Sequence, residues 1–129
     1  MAARIGNFRE LIVYQKAFEL QCEIYKMTRS LPKEETYGLI TQIRNSSRSV
    51  GANIAEAWQK RRYQAHFVSK LTDSDGEFSE TQHWLDTAIH CEYIDSDRHK
   101  EMSGYANEVV RMLGSMMAKP EQWCVKAAE

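Results

Sequence analysis

The chain has 129 residues, 43% hydrophobic and 27% charged, with 17 Lys+Arg against 18 Asp+Glu; that is enough for one domain with a real core and typical of a water-soluble globular protein. No apolar run reaches the roughly 18 residues of a membrane-spanning helix, and the opening MAARIGNFRE lacks the apolar segment of a secretory leader. Cys22, Cys91 and Cys124 are odd in number and not at CxxC spacing, which predicts a reduced, cytoplasmic protein rather than a disulfide scaffold.

Charge is unevenly spread. Residues 1–70 hold 12 Lys+Arg and 6 Asp+Glu, a net of +6, while residues 71–129 hold 5 and 12, a net of −7. Two readings fit: the halves neutralise each other within one fold, or they form faces of opposite sign that contact nucleic acid or pair between subunits.

A first helix is predicted over about 8–29, with Leu11, Tyr14, Phe18, Cys22 and Tyr25 at steps of three and four on its inward face. It stops at Ser30-Leu31-Pro32, where the proline disfavours helix at Leu31. A second is predicted over about 35–62, with Ile40, Ile43, Ser47, Val50, Ile54 and Ala57 as a bundle seam.

A third covers about 64–92, with Val68, Leu71, Asp75, Phe78, Gln82, Leu85 and Ile89 inward. Asp75 and Gln82 there read either as a buried polar site or as devices that fix register. The fourth covers about 96–117, with Met102, Tyr105 or Ala106, Val109, Leu113 and Met116 inward, and with Asp95, Ser96 or Asp97 as N-cap. Residues 118–129 read as a frayed tail. No alternating run or Asn-Gly hairpin suggests a strand, so the expectation is one all-α domain, an antiparallel up-down-up-down four-helix bundle.

The stretch 51–64, GANIAEAWQKRRYQ, is stripped to small side chains and then tipped with Lys60, Arg61 and Arg62. At about 100° per residue, Arg44, Gly51, Ala55 and Arg62 share one line, with Arg48 beside it, roughly a quarter-turn from the seam. That line predicts a strip outside the intrachain core that approaches a partner closely while arginines clamp its edges. Glu56 and Lys60 stand at i, i+4, the order of a helical ion pair, and Arg61 falls at the seam's end, where it can cap the bundle. On the third helix Asp73, Glu77, Glu80 and Trp84 fall opposite the seam, and a large ring among acids on an outward face suggests a subunit interface. Two such different faces would meet head to tail and close into a ring or grow into a filament.

Chemistry finds little support. Glu80-Thr81-Gln82-His83 is a single ExxH, where a di-metal bundle needs two and further glutamates. His90-Cys91 has no second such pair, and a catalytic cysteine needs a base and an orienting group. No Gly-rich phosphate loop, GxSxG or HExxH is present. No metal, cofactor, catalytic residue or small-molecule substrate is expected.

Residues 8–17 (FRELIVYQKA), 31–39 (LPKEETYGL), 42–44 (QIR) and 53–56 (NIAE), continued by 67–71 (FVSKL), 80–82 (ETQ) and 93–94 (YI), resemble in order and spacing the 23S ribosomal RNA intervening-sequence proteins. The resemblance spans about residues 8–117. It departs at 57–63 (AWQKRRY), a Trp-bearing basic joint where many members carry a flexible, glycine-containing one.

The resemblance implies a helical bundle that assembles as a homopentameric ring, a bacterial origin tied to insertions in large-subunit rRNA genes, and no enzymatic activity. It also implies kinship to the basic, nucleic-acid-binding accessory protein of diversity-generating retroelements. Ribosomal or other structured RNA is the partner this suggests, with Arg44, Arg48, Lys60, Arg61 and Arg62 as candidate contacts. Asp73, Glu77, Glu80, Trp84, Gly51 and Ala55 are the candidates for an oligomer interface. The alternative is a protein scaffold whose charges serve assembly alone.

Overall fold

A computed structural model describes residues 5–125. Four helices carry the fold: α1 (Ile12–Thr28), α2 (Thr41–Gln59), α3 (Gln64–His90) and α4 (Ser96–Ala118). No strand occurs among the described residues. The main helix contacts are α1 with α2 and α4, α2 with α3, and α3 with α4, which closes a four-membered bundle.

Paired side chains give the directions. Arg44 of α2 reaches Thr28 at the end of α1, whereas Gly51, further along α2, faces Tyr14 near the start of α1. Across α2 and α3 the partners are Ser46 with Thr81, Val50 with Ser74 and Glu56 with Lys70. Across α3 and α4 they are Thr72 with Met117 and Asp86 with His99; across α1 and α4, Lys16 with Glu108 and Glu23 with Arg98. Every neighbouring pair is antiparallel, the up-down-up-down arrangement.

The core is one layer of Phe67, Phe78, Leu20, Ile24, Ile43, Ile54, Leu71, Leu85, Met102 and Leu113, all fully buried. The α2 seam lies inside as the spacing predicts, and Ala106 rather than Tyr105 takes the inward position on α4. The Asp95 carboxylate caps α4 by accepting from the Arg98 N–H.

α1 is different. Its buried face is Val13, Ala17, Leu20, Ile24 and Met27, while Phe18 and Tyr25 are 47% and 42% exposed. The helix carries two apolar stripes about 130° apart. The aliphatic stripe goes inside because it buries fully, whereas a tyrosine needs a partner for its hydroxyl. Only Leu11 of the expected inward set is fully buried; Tyr14 and Cys22 are partly so.

On α3 every other seam position also shifts. Leu71, Phe78 and Leu85 are inward as expected, but Phe67, Ser74, Thr81 and Ala88 complete the face instead of Val68, Asp75, Gln82 and Ile89. Asp75 and Gln82 are partly exposed, so two short hydroxyls are the polar core. Ser74 Oγ donates to the Val50 carbonyl at 2.8 Å, and Thr81 Oγ1 pairs with Ser46 Oγ at 2.9 Å.

Boundaries shift for local reasons. A short turn at Lys33–Glu35 and a wide one at Thr36–Ile40 precede α2, with Gly38 outside helical φ/ψ. Glu35 holds this entry: its carboxylate accepts from the Leu39 N–H at 3.2 Å and from the Tyr93 hydroxyl at 2.7 Å, which pushes the Tyr93 pKa up to about 12. α2 ends at Gln59 rather than 62 because a turn at 60–63 reverses the chain. The segment after α4 is docked rather than frayed: Trp123 and Cys124 pack on the core, and the Val125 N–H donates to the Arg61 carbonyl at 3.2 Å. Residues 126–129 of the expected tail lie outside the described residues.

The buried hydroxyl pair gives a test. Thr81→Val keeps shape and removes one partner, leaving Ser46 its 3.3 Å bond to the Ile43 carbonyl, and should cost about 1 kcal/mol in urea unfolding. Combined with Ser46→Ala, the loss should fall short of additivity by about 0.5 kcal/mol. Strict additivity would mean the pair contributes nothing to α2–α3 docking.

Candidate nucleic-acid and assembly surfaces

The five candidate cations do not form one cluster. Arg48 and Lys60 are separated by twelve residues, about 18 Å along the α2 axis, and Lys60, Arg61 and Arg62 belong to the reversing turn. Lys60 and Arg62 are exposed. Arg61 is engaged: its Nε donates to the Trp58 carbonyl at 2.8 Å and its guanidinium lies 3.5 Å from the Trp58 ring centroid. Burial pushes its pKa down. It therefore closes the end of α2 through its Nε.

Arg44 is also held. Its Nε donates to Thr28 Oγ1 at 2.8 Å, and its guanidinium sits 4.8 Å from the Tyr25 ring centroid. Arg48 is exposed and borders an open, shallow depression of about 510 Å³ with Gln21, Cys22, Tyr25, Lys26 and Arg29. Gln21, Cys22, Tyr25 and Lys26 belong to α1, and sequence reasoning missed this site because it turned the stripe of Cys22 and Tyr25 inward. The available signal was that Phe18, Cys22, Tyr25 and Arg29 share one line, and an arginine on that line marks it as wet.

The small-residue strip splits. Ala55 is half-buried, but Gly51 is fully buried within the chain, contrary to its expected place outside the core. A Cβ on Gly51 would meet Tyr14 Cε1 at 3.6 Å. Tyr14 therefore lies over α2 at this point, and the close approach is made by α1 of the same chain.

The acidic set is partly satisfied internally. Lys70 Nζ lies 2.6 Å from Glu56 and 3.7 Å from Asp73, so Glu56 pairs with Lys70 rather than with Lys60. The pairing holds the Glu56 carboxyl below its ordinary range and the Lys70 amine above its own. Glu80 Oε2 accepts from the Trp84 indole at 3.1 Å, and Trp84 is half-buried, with His83 edge-on at 4.7 Å. These residues lie on the flank of α3 beside α2 rather than squarely opposite the core. Burial, then the charges of Glu80 and Asp73, push the Glu77 carboxyl up. Among the described residues no three His, Cys, Asp or Glu converge as a metal site, and Glu80 is exposed.

Comparison with known proteins places the chain in a family. The model of the 23S rRNA-intervening sequence protein family matches residues 9–115, and the chain belongs to that family. A crystal structure of a protein of unknown function from the S23 ribosomal protein family of Bacteroides thetaiotaomicron is similar, with a TM-score of 0.75 and 30% identity over 83% of this chain and 96% of that one. No curated protein matches. No helix among the described residues is long and apolar enough to cross a membrane.

Two outcomes follow from this geometry. Gly51→Ala should raise stability by about 0.5–1 kcal/mol in denaturant unfolding, since alanine suits a helix interior better than glycine and the space beside Tyr14 admits a methyl; a loss would show that α1 sits closer than this. A carboxyl whose pKa is raised by folding supports the fold while protonated and loses that support as pH rises through the folded value. Glu77→Gln should therefore raise the melting temperature near neutral pH, with the gain vanishing at about pH 3, below the ordinary carboxylate range; an equal gain at both would separate the effect from this carboxyl's ionisation.

Proposed function

We propose that this chain is a non-enzymatic, cytoplasmic helical-bundle protein that binds structured RNA through the α1–α2 face, and that its copies assemble into a homo-oligomer, the pentameric ring implied by the sequence resemblance. The observation that carries the RNA reading is the gathering of Lys26, Arg29, Arg44 and Arg48 around Tyr25. The acid nearest in sequence, Glu23, is already paired with Lys26 and Arg98. Arginine suits phosphate because its charge is permanent and its donors are planar. The pI of 6.4 is an average over a chain whose acids sit mainly in its second half; a phosphate responds to the local field. A ring would repeat one weak patch several times, giving avidity without strong single sites.

The rRNA in the family's description and the ribosomal label of the structural relative support this reading. A second reading, assembly alone, draws on the half-buried Trp84 beside Glu77 and Glu80, which would meet the basic face of a neighbouring copy.

The test is anisotropy of a labelled rRNA hairpin at low and moderate salt, with light scattering on the same samples. Arg29→Glu with Arg48→Glu spares the structural Arg44. Affinity should fall about tenfold or more and the salt slope should flatten, while the oligomer mass stays unchanged. Loss of the oligomer would favour the assembly reading. Unchanged binding and unchanged mass would sink both.

A further inference from the structure

Cations alone would serve the phosphates of any nucleic acid, yet this face also shows rings. Phe18 and Tyr25 are 47% and 42% exposed although α1 has an aliphatic face to bury. The rings are braced from within the chain. Phe8 packs edge-on against Tyr14 at 4.8 Å, and Tyr14 lies 6.1 Å from Phe18 with planes inclined at 32°. Arg44 covers Tyr25 from one side. Tyr25 borders Lys26, Arg29 and Arg48 in the depression, and Phe18 stands two turns back on the same stripe of α1, so rings and cations share one face.

Resting on the RNA reading above, we infer that this face takes unpaired nucleotides, with bases laid on Phe18 and Tyr25, the phosphate between them on Arg48, and the phosphate beyond Tyr25 on Lys26 and Arg29. A duplex buries its base faces in the stack and offers a protein mainly phosphates and 2′-hydroxyls. An exposed ring gains from a base only when that base is splayed out. Phe18 and Tyr25 stand two helical turns apart, about 10 Å, several times the ~3.4 Å step of stacked neighbours. Two bases using both rings must therefore come from an extended or looped strand.

A second copy of the chain is a poorer occupant. Its acidic flank has Glu80 already bound to Trp84 and Asp73 close to Lys70, which leaves half-buried Glu77 as the acid of that flank to meet Arg29 and Arg48, the two cations of this face that take no described ion pair.

The experiment compares a short unstructured labelled RNA with its fully paired duplex, by anisotropy at low salt, for the unmodified chain, Phe18→Ala and Phe18→Tyr. The single strand should bind more tightly than the duplex. Phe18→Ala should weaken the single strand about tenfold and leave duplex affinity and salt slope unchanged. Phe18→Tyr keeps a ring and should retain binding, which separates stacking from any loss of folding. Equal affinity for both RNAs with no effect of Phe18→Ala overturns the inference and leaves a phosphate-only RNA site standing. No binding of either RNA by the unmodified chain overturns the RNA reading itself. A change in oligomer mass with Phe18→Ala, at constant RNA affinity, assigns the rings to contact between copies and overturns the inference.

Discussion

Helix α2 is held from both sides, and those two contacts set what the molecule presents outward. Toward α3, the Ser46–Thr81 pair and the Ser74 bond to the Val50 carbonyl lock rotation and register inside an apolar layer, where an unpaired hydroxyl would be costly. Toward α1, Gly51 leaves room for Tyr14 and Arg44 ties to Thr28. With α2 fixed in this way, Arg48 stands at the rim shared with α1, while Lys60 and Arg62 are carried to the turn.

The charge imbalance between the two halves is only weakly resolved by ion pairs. Lys16–Glu108 joins a base of the first half to an acid of the second. Glu23–Arg98 runs in the opposite sense, and Glu56–Lys70 lies within the first half. These pairs are partly exposed and individually worth little. Arg29 and Arg48 take no described ion pair and are exposed.

Legibility differed by helix for physical reasons. On α2 and α4 one apolar stripe is clearly richer, so spacing alone identifies the buried face. α3 has apolar or small residues on both sides of its axis, and a seam drawn through Asp75 and Gln82 loses to one drawn through Ser74 and Thr81, whose small hydroxyls bond a facing helix without leaving a charge behind. On α1 the larger side chains suggested the core, but aromatics can lie half-exposed against a neighbour while Val, Leu and Ile gain most from complete burial. The same misreading concealed the candidate site, since the stripe assigned to the interior is the one that borders the arginines.

By itself the sequence determined the all-helical class, the number and approximate limits of the helices, the α2 and α4 seams, and the family, because these depend on periodicity, turn residues and motif order along one chain. Only the tertiary structure decided which stripe of α1 is wet, that Glu56 pairs with Lys70, that Arg44 is held by Thr28 while Arg48 stays open, and that Gly51 serves an intrachain contact. Each of those depends on what a second helix brings to the same place, and the rotation of one helix against another is not encoded in the spacing of either.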